Sequence, residues 1–306
     1  MKTMKQLGFL ACSLLILAAC SSGSSSDPLP PPGQETKTLP ININTSIATR
    51  VIDNSFEKGD DIGLFVVNNN ADGSAATLKT TGNHVDNMKY TYNGTWTPAS
   101  PTYWKDNKTH ADFYLYYPYT ASIGNVNAMP WSVNADQSTK EKYKSAELLI
   151  GKTIHVAPTE SAVNIDAKHV MSQMVVILKP GNGFTSESLN KANISVRINR
   201  LKTQATANLV TGELTAKGDD ADLTPLKEED NTYKALIIPQ AVGEGVLITV
   251  NVDGKDYLLQ KAANFAAFEA GKKHKFTVTL SNTSNGVNVN ITKWEDDGND
   301  YGGTAE

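Results

Sequence analysis

Residues whose types could do chemistry are few in this 306-residue chain, and their spacing does not favour it. The five histidines, His84, His110, His155, His169 and His274, are scattered, and no two stand four apart as a zinc-protease helix requires. The sequence has no Gly-x-Ser-x-Gly elbow, phosphate loop or dinucleotide fingerprint. Gly181 and Gly183 begin such a fingerprint, but Ser186 stands where its third glycine belongs. Asn68, Asn70, Asp72 and Gly73 have the spacing of the start of a calcium loop, yet the twelfth position is Lys79 where a bidentate Glu is needed. A turn after a strand is the expectation there. The acidic run 295–300 reads as a solvated tail. Both cysteines, Cys12 and Cys20, fall in the first 20 residues, so the rest of the chain can form neither a disulfide nor a thiolate metal site. No catalytic residue, metal or cofactor is expected, and the protein is read as a non-enzyme. A glycosidase-like carboxylate pair assembled only in three dimensions is left open. The net charge of −4 argues against nucleic acid as a partner.

The cysteines belong to the amino terminus. Lys2 and Lys5 precede an apolar stretch, Leu7 to Ala19, of about a dozen residues, too short to span a membrane and suited to a signal peptide. Leu17-Ala18-Ala19-Cys20 resembles the lipobox of bacterial lipoproteins, which implies removal of residues 1–19 and lipidation of Cys20 with diacylglycerol and a palmitate-like acyl chain. Several chains on one cysteine anchor a protein durably without threading it through the bilayer. Residues 20–40, rich in Ser and Pro, are expected to be a tether.

The elements that follow must be mostly strands. Apolar residues make up 40% and charged residues 20%, a globular composition, and the length suits two domains of roughly 120–150 residues. Short β-rich runs separated by turns are expected over 62–67, 90–96, 112–117, 146–150, 170–178, 194–198, 205–210, 233–238, 246–252, 257–260, 275–280 and 287–291. Asp253-Gly254 and Asn93-Gly94 supply hairpin turns. Ser186 to Ala192 is expected to make one helical turn, and an irregular stretch at 152–163 suggests a domain boundary. Enough strands lie on each side for two sandwiches. The N-terminal half is rich in aromatic residues. They are read either as a sandwich core or as a stacking platform for a sugar. Phe113, Leu115 and Tyr117 alternate with Tyr114 and Tyr116, which favours the core, and Tyr114 and Tyr116 are the positions that would face a glycan.

A strand pattern also stands at each end of the body. Ile41, Ile43, Thr45 and Ile47 alternate with polar residues, just upstream of Arg50, one of only three arginines. Val287, Val289 and Ile291 alternate in the same way. Terminal strands are edge strands, which either end a monomer's sheet or receive a strand from another chain.

Thr49-Arg50, Phe56-Glu57-Lys58-Gly59-Asp60-Asp61-Ile62-Gly63-Leu64-Phe65, Tyr90 to Trp96, Tyr103-Trp104 and Asp112 to Tyr119 come in order along the first half. His169 to Val176, Gly181 to Thr185, Thr211-Gly212, Tyr233 to Gln240, Gly271 to His274 and Ile291 to Trp294 follow in the second. Together these pieces resemble the fimbrillin-like (Mfa-like) lipoproteins of Bacteroides-type bacteria, which include type V pilus subunits. The resemblance implies an all-β protein of two tandem transthyretin-like β-sandwich domains, residues 41–157 and 158–306, the latter with the acidic tail. It implies a lipid-anchored precursor at the outer membrane, cut by an Arg- or Lys-specific protease. Carried onto this sequence, the cut falls between Arg50 and Val51, the strand lost contains Ile41, Ile43 and Ile47, and Val287, Val289 and Ile291 are the candidate donor strand. The implied partners are other pilus subunits of the family, the outer membrane, and a host protein or glycan. The role is that of a tip, accessory or stalk subunit in adhesion. The alternative is a monomeric glycan-binding surface lipoprotein.

Overall fold

Nearly everything in the computed structural model, which describes residues 39–47, 55–282 and the backbone of 303–305, is strand and turn. Cys20, Arg50, Val51, Val287, Val289 and Ile291 lie outside the described residues. The first half supplies β1 (Ile43–Ile47), β2 (Asp61–Asn68), β3 (Val85–Tyr92), β4 (Trp96–Pro98), β5 (Ala111–Tyr117), β6 (Met129–Ser132), the short helix α1 (Lys140–Ser145), β7 (Leu149–Val156) and β8 (Val163–His169). One seven-stranded sheet takes all of these strands except β6, in the order β1-β8-β7-β5-β2-β3-β4.

The central strands β2 and β5 are buried on both faces, which is why they read as unbroken apolar runs. Ile62, Leu64, Val66, Phe113, Leu115 and Tyr117 belong to a first core. Phe65, Val67, Tyr114 and Tyr116 face a second, shared with the C-terminal half. The expectation that Tyr114 and Tyr116 look outward is therefore corrected: they are 7% and 0% exposed, because the second half of the chain covers their face of the sheet. Tyr116 lies across its cross-strand partner Gly63, where a Cβ would stand 2.1 Å from the ring. Its one hydroxyl proton has two acceptors in reach, Asn87 Oδ1 (2.7 Å) and the Thr120 carbonyl (2.9 Å), so the buried phenol is satisfied.

The second half supplies β9 (Ser172–Pro180), α2 (Ser186–Lys191), β10 (Ile194–Ala207), β11 (Leu214–Leu223), β12 (Leu226–Lys227), β13 (Thr232–Ile237), β14 (Gln240–Ala241), β15 (Val246–Val252), β16 (Lys255–Gln260), β17 (Ala267–Phe268), β18 (Lys273–Leu280) and β19 (Gly303–Ala305). They form the sheets β11-β10-β15-β16 and β12-β13-β9-β18-β19, with β14 paired to β17 and β6 added to β10. The expected hairpin closes β15 onto β16, with Asp253 and Gly254 both at positive φ. The helical turn at α2 opens on a capping box between Thr185 and Ser188.

Some boundaries differ from the sequence reading. The strand expected at 146–150 starts at Leu149, because Ala146 caps α1. The runs 194–198 and 205–210 are one 14-residue strand, bent where Arg200 takes a positive φ. The irregular stretch after Val156 is the connection from β7 to β8 inside the first sheet; the chain crosses to the β10 sheet at β6, returns at β7, and leaves the first sheet for the last time between His169 and Ser172.

Candidate functional site

The alternating leader, Ile41 to Ile47, is bound in two ways along its length. At its start the Ile41 N–H donates to the Thr102 carbonyl (2.9 Å), and the Trp104 N–H donates to the Leu39 carbonyl (2.8 Å). The Val163 N–H then donates to the Asn42 carbonyl (2.9 Å), and from Ile43 onward β1 runs parallel to β8, Ile43 opposite Val163 through Ile47 opposite Ala167. β8 alternates in the same sense, so both strands turn their apolar side chains to the first core and their polar ones outward.

The inward face holds the leader. Ile41 is 2% exposed and Ile43 6%, both within the first core, with Ile47 packed at its margin. Burying the two isoleucines is worth about 3–6 kcal/mol. Between them and Ile47, Thr45 is polar for a reason: its Oγ1 accepts the Trp96 indole N–H at 2.8 Å. On the outward face Asn44 donates to Asn164 Oδ1 (3.1 Å) and the Ser46 hydroxyl donates to Asp166.

The Thr45–Trp96 bond joins opposite edges of one sheet, since Trp96 begins β4 and Thr45 lies in β1. The sheet thus curls until its edges meet around the first core. A cleft of ≈ 510 Å³ follows that seam, with Ile43, Thr45, Tyr92, Trp96 and Asn164 among its walls. Phe56 closes its floor edge-on to Trp96 (ring centroids 4.9 Å apart) and to Tyr117 (5.6 Å). β1 is hydrogen-bonded to a strand on one side only, and its removal would leave β8 as a bare edge above an open core.

A second cleft, ≈ 380 Å³, begins where β1 ends at Ile47 and mixes apolar walls with charged side chains. Lys144 bonds Glu57 (2.5 Å) and Asp60 (3.0 Å) there. Burial works against the Lys144 charge, but the hydrogen bonds to Glu57 and Asp60 outweigh it and hold its pKa above the usual lysine range. Burial, with the Asp60 carboxylate alongside, raises that of the Tyr117 phenol. His169 Nδ1 lies 3.0 Å from Glu147 Oε2 at the inner wall.

The structure brings Ile41, Ile43 and Ile47 together on one face, as alternation predicts. Asp72 accepts the N–H and hydroxyl of Ser74, an ordinary Asx turn. Phe56 and Trp96 fall in segments that carry the family resemblance, but nothing in the sequence marks them or Thr102 as the leader's seat.

A curled, all-β body with an edge strand seated in its core is the class of protein these features define. The chain belongs to the fimbrillin-like family, whose sequence pattern matches residues 49–294. It is 27% identical over 297 residues to a Bacteroides uniformis protein named as a fimbrium subunit, Fim1C, with 93% of this chain and 94% of that one covered. A Bacteroides ovatus protein named as a fimbrium tip subunit is 28% identical over 196 residues, 56% of this chain and 34% of that relative. Among solved structures, that of a Bacteroides uniformis protein described as a cell adhesion protein superposes with a TM-score of 0.63 at 22% identity, covering 87% of this chain and 97% of that one. That likeness is one of fold.

Proposed function

We propose that this protein is a non-catalytic, surface-exposed adhesion subunit that enters a fimbrium by exchanging its leading strand for a strand of another subunit. The observation that carries this is the seat of β1. The leader closes the sheet's seam, is bonded to a strand along one edge only, and ends at Ile47, three residues before Arg50. In the proposal Cys20 holds the precursor to the outer membrane and a protease cuts between Arg50 and Val51. Loss of the segment containing Ile41, Ile43 and Ile47 then leaves a groove whose unpaired backbone and exposed apolar floor favour refilling. Val287-Asn288-Val289-Asn290 repeats the pattern of Ile41-Asn42-Ile43-Asn44, which supports the 287–291 segment of a second subunit as the donor. The division into two tandem sandwiches belongs to the same reading, and the last crossing out of the first sheet, between His169 and Ser172, supports two halves. The burial of Tyr114 and Tyr116 takes these two rings out of any platform for a glycan.

Treating the folded precursor with an arginine-specific protease is expected to cut once, after Arg50, and to yield oligomers. Arg50→Ala is expected to block both. Cut protein that stays monomeric with its groove empty would overturn strand exchange, and continued palmitate-analogue labelling of Cys20→Ala would overturn the anchor.

A further inference from the structure

His110 and His155, 45 residues apart in sequence, meet at the surface end of β5 and β7. His110 Nδ1 and His155 Nε2 are 3.0 Å apart, and the rings stand edge to face with centroids at 4.4 Å. This meeting is made by an irregularity. The pairing of β5 with β7 slips between Ala111–Val156 and Phe113–Thr153, so Ile154 and His155 together oppose Asp112. His155 takes φ +57°, a left-handed conformation uncommon for a residue with a side chain. Without the bulge, strand alternation would send His155 elsewhere. Bulges of this kind re-aim side chains beside functional sites.

Both histidines are also held from behind. The buried Asp112 carboxylate, 1% exposed, accepts the His155 N–H at 2.7 Å. The Asn69 N–H donates to the His110 carbonyl at 2.9 Å. The side-chain amide of Asn69 reaches toward Asp112 (3.5 Å), while its buried Oδ1 has no protein partner. These backbone contacts fix where the two imidazoles meet, as a preorganised site requires.

We propose that His110 and His155 form a surface site for a divalent transition-metal ion of the copper–nickel kind. The ligand type supports that class, because affinity at a nitrogen site rises toward nickel and copper among the divalent first-row ions. Imidazole is a ligand such ions favour. The two ring nitrogens stand close enough for one ion to bridge them after a small rotation of each ring. Both facing nitrogens must offer lone pairs to the ion, so the ring that carries the bridging proton releases it to solvent and takes one up on its other nitrogen, and each ring turns about χ2. No cluster of three or more His, Cys, Asp or Glu suited to a metal occurs among the described residues, so the remaining positions go to water. The ion would clip β5 to β7 at the bulge.

The test is calorimetric titration of Ni²⁺ into the full chain carrying no histidine tag, beside His110→Gln, His155→Asn and His84→Gln. Asn is chosen at 155 because it tolerates the left-handed backbone. His84, whose Nε2 is engaged with the Tyr103 carbonyl, is the control. The native chain and His84→Gln are expected to bind one equivalent and to gain thermal stability with Ni²⁺. His110→Gln and His155→Asn are each expected to bind that equivalent at least about tenfold more weakly, with metal-free unfolding temperatures close to native. Binding of native strength in either variant, or equal weakening in His84→Gln, overturns the site.

Discussion

Replacing Ile41 by alanine tests whether the leading segment is held by its seat in the first core. Ile41 is 2% exposed, and its backbone N–H is bonded to the Thr102 carbonyl, so the side chain can be shortened without disturbing the hydrogen-bond path. Truncating a buried isoleucine to alanine costs about 2–5 kcal/mol, the lost transfer energy plus the cavity. In the uncut chain that loss appears as a lower urea midpoint. After cleavage following Arg50, the leader is held by non-covalent contacts alone, and the same loss acts on its dissociation. At 1.4 kcal/mol per factor of ten, it should weaken retention by about thirtyfold to several-thousandfold. The assay is release of a fluorescently labelled leader from cut protein, followed by gel filtration. Asn42→Ala is the control: its side chain is exposed and makes one contact at 3.5 Å, so its effect should stay within about 0.5 kcal/mol. If the leader left the Ile41→Ala protein no faster than the Asn42→Ala protein, core seating would not be what retains it.

Thr45→Val keeps the shape of the leader but strips the Trp96 indole of its acceptor, so stability by urea melt should fall by about 1–3 kcal/mol. Gly63→Ala would place a methyl 2.1 Å from the Tyr116 ring, and the displaced ring should lower stability by about 1–3 kcal/mol with an altered near-UV spectrum. Burial raises the Asp61 pKa, but the Thr91 hydroxyl and the Lys89 ammonium outweigh it, leaving it below the usual 3.8. Its contribution is therefore complete above that value and lost as pH falls through the lower folded-state value. Asp61→Asn should be less stable than native at pH 7, and the two proteins should converge as the pH drops below 3.8.

The leader is legible because one of its faces is buried and the other wet, which writes Ile41, Ile43 and Ile47 as plain alternation. The direction of Tyr114 and Tyr116 is not, because a strand sandwiched between two cores has no solvent face to show in its sequence. β11 is hidden for the opposite reason. Its Gly218-Asp219-Asp220 looks like a turn, and the strand exists because β10 pairs along it. β8 alternates as cleanly as β1, but its outward residues, Asn164, Asp166 and Lys168, stand beside an irregular stretch that suggests a boundary. The approach of His110 to His155 depends on register and a bulge, and neither is written in the spacing of two histidines.

β1 reaches β8 across 120 residues of chain, with no hairpin between them. A hairpin strand pulled at its free end peels away one rung at a time. A strand laid along a partner to which no turn joins it is loaded in shear, so traction along its axis strains all five paired residues together. A second subunit's strand placed in the same slot would inherit that mechanics. A fibre joined this way would resist tension along its length far better than prying from the side.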